Sequence, residues 1–359
     1  MSNNYSPTDS FKPLFIVSTG RCGSTLLSNM VRLHPDLLSI SEFFTSLSSN
    51  AFPGGRLTGE AVFQRLNTLP PGGRALLKNG LTVDEFLYPP QGGRYLPENL
   101  PPILCATLPH LTGDHDVLWD ELAPALRARG VDTLAGHYRF VFDGLARRFG
   151  KKAWLERSGA SLLFVPVLAR MFPEARFIHI YRDGRDTALS MYRHHFFRLR
   201  VQAALRLKAF GIDPFHPFNV PGTSPWMPLF ERLLFWRFDA EKYRRTEIPL
   251  AAFGWFWSGM IGRGLGYLHA LPQDRVLSMG YETLVADPRE ELTRFIRFVG
   301  PEYENPAWLE AACALPRSRP PAWQGLALDE QARLADACAP GQRLLGYGLQ
   351  PQRSQVTAA

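Results

Sequence analysis

Two short segments carry residue types suited to holding an anion. The first is Thr19-Gly20-Arg21-Cys22-Gly23-Ser24-Thr25. It follows the apolar run Leu14-Phe15-Ile16-Val17-Ser18, which predicts a buried strand. It precedes Ser24 to Leu33, which predicts a helix stopped before Pro35. Gly20 and Gly23 allow a tight turn that brings backbone close to a ligand. Free N–H groups at a helix start, aided by the helix dipole, attract negative charge. Ser24 and Thr25 add hydroxyls, and Arg21 adds a forked cation. The same residues also serve as a plain glycine turn in which Ser24 only caps the helix. The phosphate lysine of GxxxxGK[ST] is missing, because its slot before Ser24 is Gly23.

The second segment, Arg176 to Ser190, repeats the design. The run Arg176-Phe-Ile-His-Ile-Tyr181 predicts a strand that delivers Arg182 at its carboxyl end, where open parallel sheets bind ligands. A turn with Gly184 follows, then a helix predicted over Asp186 to Phe197. Ser190, eight residues after Arg182, falls about two helical turns beyond that arginine. A salt-bridged turn, Arg182 with Asp186 and Asp183 with Arg185, would account for the same pattern without a ligand.

The elements that must position these groups alternate. Further strands are predicted over Asp36 to Ser41, Ala153 to Leu155 and Arg275 to Met279, and further helices over Ser161 to Met171 and Pro288 to Val299. This order implies an α/β fold, a P-loop-like three-layer sandwich with a central parallel sheet flanked by helices. The 359 residues are read as a single domain, 1–359. It would carry a Pro/Gly-rich insertion at about 45–115 and a segment shaping an acceptor pocket at about 198–260. Hydrophobic residues at 45% and charged residues at 20% exclude a disordered or collagen-like chain. The formal charge of +7 suits an anionic ligand but equally a solvated surface. Phe253 to Leu271 is apolar enough to suggest a membrane span. Arg263, His269 and five glycines favour a buried helix instead. Cys22, Cys105, Cys313 and Cys338 are far apart, and no apolar leader follows Met1. A cytoplasmic location with reduced thiols is therefore expected.

Together the two anion segments resemble the sulfotransferases that use 3′-phosphoadenosine 5′-phosphosulfate (PAPS). In that family a cation followed by Ser-Gly-Ser/Thr-Thr binds the 5′-phosphosulfate, matched by Arg21, Cys22, Gly23, Ser24, Thr25 and Leu26. A strand ending in Arg-Asp-x-Arg-Asp with a later serine binds the 3′-phosphate, matched by Arg182 and Ser190. Tyr281-Glu282-Thr-Leu284 is similar to a segment beside the nucleotide, and Leu345-Gly346-Tyr347 is a fourth match. The stretch from Arg21 through His34-Pro35-Asp36 to Glu42 resembles the tyrosylprotein branch, where a glutamate at this distance acts as base. Glu42-Phe43-Phe44 resembles the bacterial trehalose sulfotransferase. Trp154-Leu-Glu-Arg157-Ser-Gly159 is similar to Trp-x-Glu-Lys-Thr-Pro, whose lysine steadies the transferring group in the tyrosylprotein branch. Arg319, in Arg317-Ser318-Arg319, matches a tail that closes over the 3′-phosphate.

The resemblance implies transfer of a sulfuryl group from PAPS to a hydroxyl or amine. Glu42, Arg21 and Arg157 would be catalytic, and no metal is expected. The implied partner is a small-molecule or carrier-bound acceptor, with no nucleic acid and no transmembrane segment, and a homodimer is allowed. A P-loop kinase is disfavoured by the missing lysine, and a non-catalytic nucleotide-binding relative stays open. No spacing singles out an alternative base among His110, His115, His137, His194 and His195. Arg193, Arg198, Arg200, Arg206 and Lys208 are read as a solvated helix face, and Trp255, Phe256 and Trp257 as core.

Overall fold

The computed structural model describes residues 11–89, 93–220, 223 and 226–347. Five strands form one parallel sheet: β1 (Leu14–Val17), β2 (Leu37–Ser41), β3 (Ala153–Arg157), β4 (Arg176–Tyr181) and β5 (Val276–Gly280). Their order is β2-β3-β1-β4-β5, with Leu14 of β1 in register with Leu155 on one side and Arg176 on the other. Alternate residues of β1 point to opposite faces, as strand geometry requires. Phe15 and Val17 enter one core with Trp154, Phe177 and Trp257. Leu14 and Ile16 enter a second core with Leu155, Ile178 and Met279. Both faces are covered, so the strands read as unbroken apolar runs. The architecture is the predicted three-layer α/β sandwich.

From β1 the chain crosses through α1 (Ser24–Arg32) toward β2, whereas from β4 it proceeds to β5 in the other direction. β1 and β4 are adjacent, so the loops at their carboxyl ends flank a topological switch point, where such sheets open a crevice. Arg21 follows β1 and Arg182 follows β4. Their meeting is a consequence of strand order.

Helix α1 packs Leu27, Met30 and Val31 on the second core, joined there by Leu292, Phe295 and Ile296 from the predicted amphipathic helix Pro288–Val299. One expectation needs correction. The helix predicted over 186–197 is two helices, α2 (Gly184–Tyr192) and α3 (His195–Ala209), separated at Arg193 and His194. The Pro/Gly-rich stretch carries several short helices and packs against the sheet. Leu47, Val62, Leu66, Leu100 and Leu104 are all buried in the first core. Pro90-Gln91-Gly92 in the Pro/Gly-rich stretch, and Pro221 and Pro225 in the segment expected to shape an acceptor pocket, lie outside the described residues.

The apolar stretch near 253–271 is α5 (Leu250–His269), which follows α4 (Met227–Phe235). Among the described residues no helix is long and apolar enough to cross a membrane. Phe253, Trp257, Met260 and Ile261 of α5 are buried in the core. Its glycines admit neighbours. Any Cβ at Gly254 would lie 2.9 Å from Cys338 Sγ of α6 (Leu328–Leu344), and at Gly264 2.2 Å from Leu162.

Candidate active site

The loop from Thr19 to Gly23 turns by placing three residues in left-handed conformation: Gly20 (φ 80°), Arg21 (φ 57°) and Gly23 (φ 92°). Gly23 then leads into α1 without any side-chain cap. Ser24 is therefore the first helical residue rather than the cap, and the start of α1 receives no side-chain cap from the loop. Successive N–H groups in such a turn form an anion-binding hollow. The ring of Tyr281 lies directly over Gly23, where a Cβ would come within 2.1 Å of it. Cys22 points the other way. It is fully buried, and its thiol donates to the Ile180 carbonyl at 3.3 Å. Burial pushes that thiol's pKa up. Only the backbone of Cys22 is available to the loop, since its side chain is buried against the Ile180 carbonyl.

Two cavities open at the carboxyl edge of the sheet, and they share Arg21, Val83 and His194. The larger, about 840 Å³, is polar. Arg182, Ser190, Tyr281, Arg317 and Arg319 line it along with Leu26. Both ion pairs of the alternative reading exist: Arg182 with Asp186 at 3.1 Å and Arg185 with Asp183 at 2.5 Å. They do not exhaust Arg182. Its guanidinium lies 4.7 Å from the Tyr281 ring centroid, and its Nε is buried without a hydrogen-bond partner. Glu282 fixes the turn beneath. It accepts from the Asp183 N–H at 3.0 Å and from the Tyr347 hydroxyl at 2.7 Å, which gives the Tyr-Glu and Leu-Gly-Tyr segments one shared task. Gly184 is also required by packing, since a Cβ there would meet Trp257 at 2.3 Å.

Arg21 is the hinge of the site. Its Nε donates to Ser190 Oγ at 3.0 Å, Nη1 to Glu85 at 2.5 Å and Nη2 to Asp84 at 3.2 Å. His194 contacts the second oxygen of Glu85 at 2.9 Å through Nε2, while its Nδ1 is buried without a partner. Burial opposes ionisation of Glu85, but the hydrogen bond and charge of His194 and the charge of Arg21 outweigh it. They hold the carboxyl down at about 2. Asp84 and Glu85 were not foreseen. They come from the Pro/Gly-rich stretch more than sixty residues after Arg21, with no motif around them. His194 is thereby distinguished from the other histidines. Burial near Arg157 depresses His110 to about 4, and His137 is occupied with the Leu57 carbonyl at 2.8 Å.

The second cavity, about 220 Å³, is mostly apolar. At the sheet edge it is lined by Ser24, Thr25, Glu42, Arg157 and Gly159. Glu42 follows β2 directly and also adopts a left-handed conformation (φ 56°). Its N–H donates to the Arg157 carbonyl at 2.7 Å. One carboxylate oxygen accepts from Arg157 Nη1, the other from the Gly159 N–H at 2.9 Å. Arg157 also donates to Ser41 Oγ at 2.7 Å. It is therefore turned toward Glu42 on the neighbouring strand. Non-glycine residues in this region cost about 1–2 kcal/mol each, and such strain concentrates at functional sites. Arg21 and Glu42 are two of four such residues among those described, with Ser48 and Ala160.

The basic stretch divides. Arg193, Arg206 and Lys208 are exposed as expected, but Arg200 lines the apolar cavity. Trp257 is buried, in keeping with a core role.

The model of the sulfotransferase family matches residues 114–215, the segment that carries Arg157, Arg182 and Ser190. Among solved structures the chain is similar to a sulfotransferase domain from the curacin biosynthetic pathway. That pair shares 17% identity over 94% of this chain and 98% of the other, with a TM-score of 0.48. A sulfotransferase domain from the Synechococcus PCC 7002 olefin synthase shares 19% over 93% and 97%, with a TM-score of 0.43. A mouse sulfotransferase complexed with PAP, 3′-phosphoadenosine 5′-phosphate, shares 13% over 94% and 89%, with a TM-score of 0.38. No curated protein matches the chain.

Proposed function

We propose that this protein is a PAPS-dependent sulfotransferase acting on a hydroxyl or amine acceptor. One observation carries the reading: a polar, arginine-lined crevice and an apolar cavity containing a carboxylate meet at Arg21. The crevice fits a nucleotide with two anionic ends. The hollow at the start of α1 suits the 5′ end, and Arg182 with its unpartnered Nε, together with Arg319, suits the 3′-phosphate. Ser190, now bonded to Arg21, stands between the two ends. PAPS would supply an already activated sulfuryl group, so the protein's tasks are alignment and charge stabilisation.

In this reading Arg21 neutralises the charge that develops on the oxygen of the departing phosphate. Glu42 takes the proton from the acceptor as the acceptor oxygen bonds to sulfur and the bond from sulfur to the phosphate oxygen breaks. Each oxygen of Glu42 has spare lone pairs beyond its present partner. Arg157 and the Gly159 N–H hold the carboxylate in place. Arg157 acts on Glu42 rather than as a substitute for the lysine of related motifs.

Thermal shift with PAP, adenosine 5′-phosphosulfate and ATP with Mg²⁺ tests the nucleotide assignment. PAP should stabilise the chain most. Arg182→Ala should weaken PAP at least tenfold more than adenosine 5′-phosphosulfate. Stronger stabilisation by ATP with Mg²⁺, or equal weakening of both ligands, overturns it. Incubation of extracts with the protein and labelled PAPS, read by mass spectrometry, tests transfer.

A further inference from the structure

The apolar cavity has a second polar feature besides Glu42. Its helical wall is formed by Leu76, Leu199, Leu234 and Phe235, and within it stand Glu231 of α4 and Arg200 of α3. Glu231 is 9% exposed. One of its carboxylate oxygens accepts from the Gly72 N–H at 3.0 Å. The other, Oε2, is buried with no hydrogen-bond partner. A buried carboxylate oxygen left unmatched is costly, so it marks a place where a partner is expected. Arg200 is half-buried, and its guanidinium lies 4.5 Å from the Phe196 ring centroid. Among the described residues no ion pair joins it to Glu231. Burial pushes the Arg200 pKa down to about 10, with Glu231 pulling it back up. Glu231 and Arg200 thus line the same apolar cavity, with no hydrogen bond or ion pair between them among the described residues.

We propose that Glu231 and Arg200 form a polar subsite that reads a second, neutral hydrogen-bonding group on an otherwise apolar acceptor. The inference rests on the assignment of this cavity to the acceptor. A hydroxyl or an amide meets both residues at once, donating to Glu231 Oε2 and accepting from Arg200. A carboxylate would face Glu231 and an ammonium would face Arg200, so charged groups are selected against. The acceptor class is an apolar alcohol carrying another hydroxyl or an amide, rather than a simple alkanol or a sugar. An entirely polar acceptor would leave the leucine and phenylalanine walls poorly used.

Calorimetric titration of the full chain saturated with PAP tests this. The probes are 1-alkanols and α,ω-alkanediols of six to twelve carbons. At the length that spans the cavity the diol should bind about tenfold more tightly than the alkanol of equal length. Without a polar partner its extra hydroxyl would weaken binding. Arg200→Met, close in volume and uncharged, should bring that diol-to-alkanol ratio to about one. Glu231→Leu should do the same, with its melting curve recorded to confirm folding. An alkanol that matches or exceeds its diol at every length overturns the subsite, as does a preference that survives Arg200→Met or an absence of binding by both series. A diol preference without any sulfuryl transfer would keep the subsite and remove the sulfotransferase reading.

Discussion

Glu42 and Arg157 are both almost fully enclosed, and each is the other's main charge partner. Removing one member of a buried pair leaves an uncompensated charge, whereas an uncharged near-isostere keeps most of the hydrogen bonding. Glu42→Gln keeps an oxygen for the Gly159 N–H but cannot take a proton. It should lower turnover about 100-fold or more while changing PAP affinity less than about threefold. Single-turnover kinetics with labelled PAPS and PAP titration provide the two readouts. Unchanged turnover would take Glu42 out of the mechanism. At the same scale, Arg21 stands bonded to Asp84 and Glu85, two carboxylates in the region where a phosphosulfate would be held. These acidic groups hold the guanidinium in place through charge-assisted bonds.

The proposed phosphate hollow depends on an element boundary, the passage from β1 through the loop into α1. Gly23 has two constraints there: φ of 92° and the Tyr281 ring against its α-carbon. Gly23→Ala should therefore destabilise the fold by about 2 kcal/mol, from left-handed backbone strain alone about 1–2 and more from displacing the ring. It should also weaken PAP, since Tyr281 carries the Arg182 guanidinium on its face. Urea unfolding and PAP titration of the variant check both parts. Wild-type values in both would show that Tyr281 yields freely. The order of strand, glycine loop and helix was legible in the sequence, because apolar runs and glycines act locally. The break between α2 and α3 was not. The apolar pattern from Leu189 through Phe197 is compatible with one continuous helix. The chain instead turns at Arg193 and His194, where His194 engages Glu85 from a distant segment.

For the molecule as a whole, Glu156 in the centre of the sheet sets a pH dependence. Burial, and to a lesser extent the negative charge of Glu42, push its pKa from 4.5 up to about 8, against the hydrogen bond from Ser158. The folded chain keeps a proton that the unfolded chain has released above 4.5. Folding therefore loses stability as pH rises from about 4.5 toward 8. Glu156→Gln keeps the neutral hydrogen-bonding form at every pH and should flatten this slope. Melting temperatures recorded between pH 5 and 8.5 decide it: an identical slope in wild type and variant would show that Glu156 is not the titrating group.

The roles expected of Arg21, Glu42 and Ser190 came from the family resemblance, whereas the amino-acid sequence by itself determined the alternating α/β order, the glycine loop after β1 and the Arg182 turn after β4. These follow from local pattern and from short motifs whose residues are neighbours in the chain. Only the tertiary structure decided that Arg21 reaches Ser190, that Cys22 turns into the core, that Arg157 faces Glu42, and that Asp84, Glu85, Arg200 and Glu231 line two adjoining cavities. Those meetings depend on the order in which strands join the sheet and on which helix faces cover it. Such long-range choices leave no periodic trace in sequence, because each contacting residue satisfies its local helix or loop equally well in other arrangements.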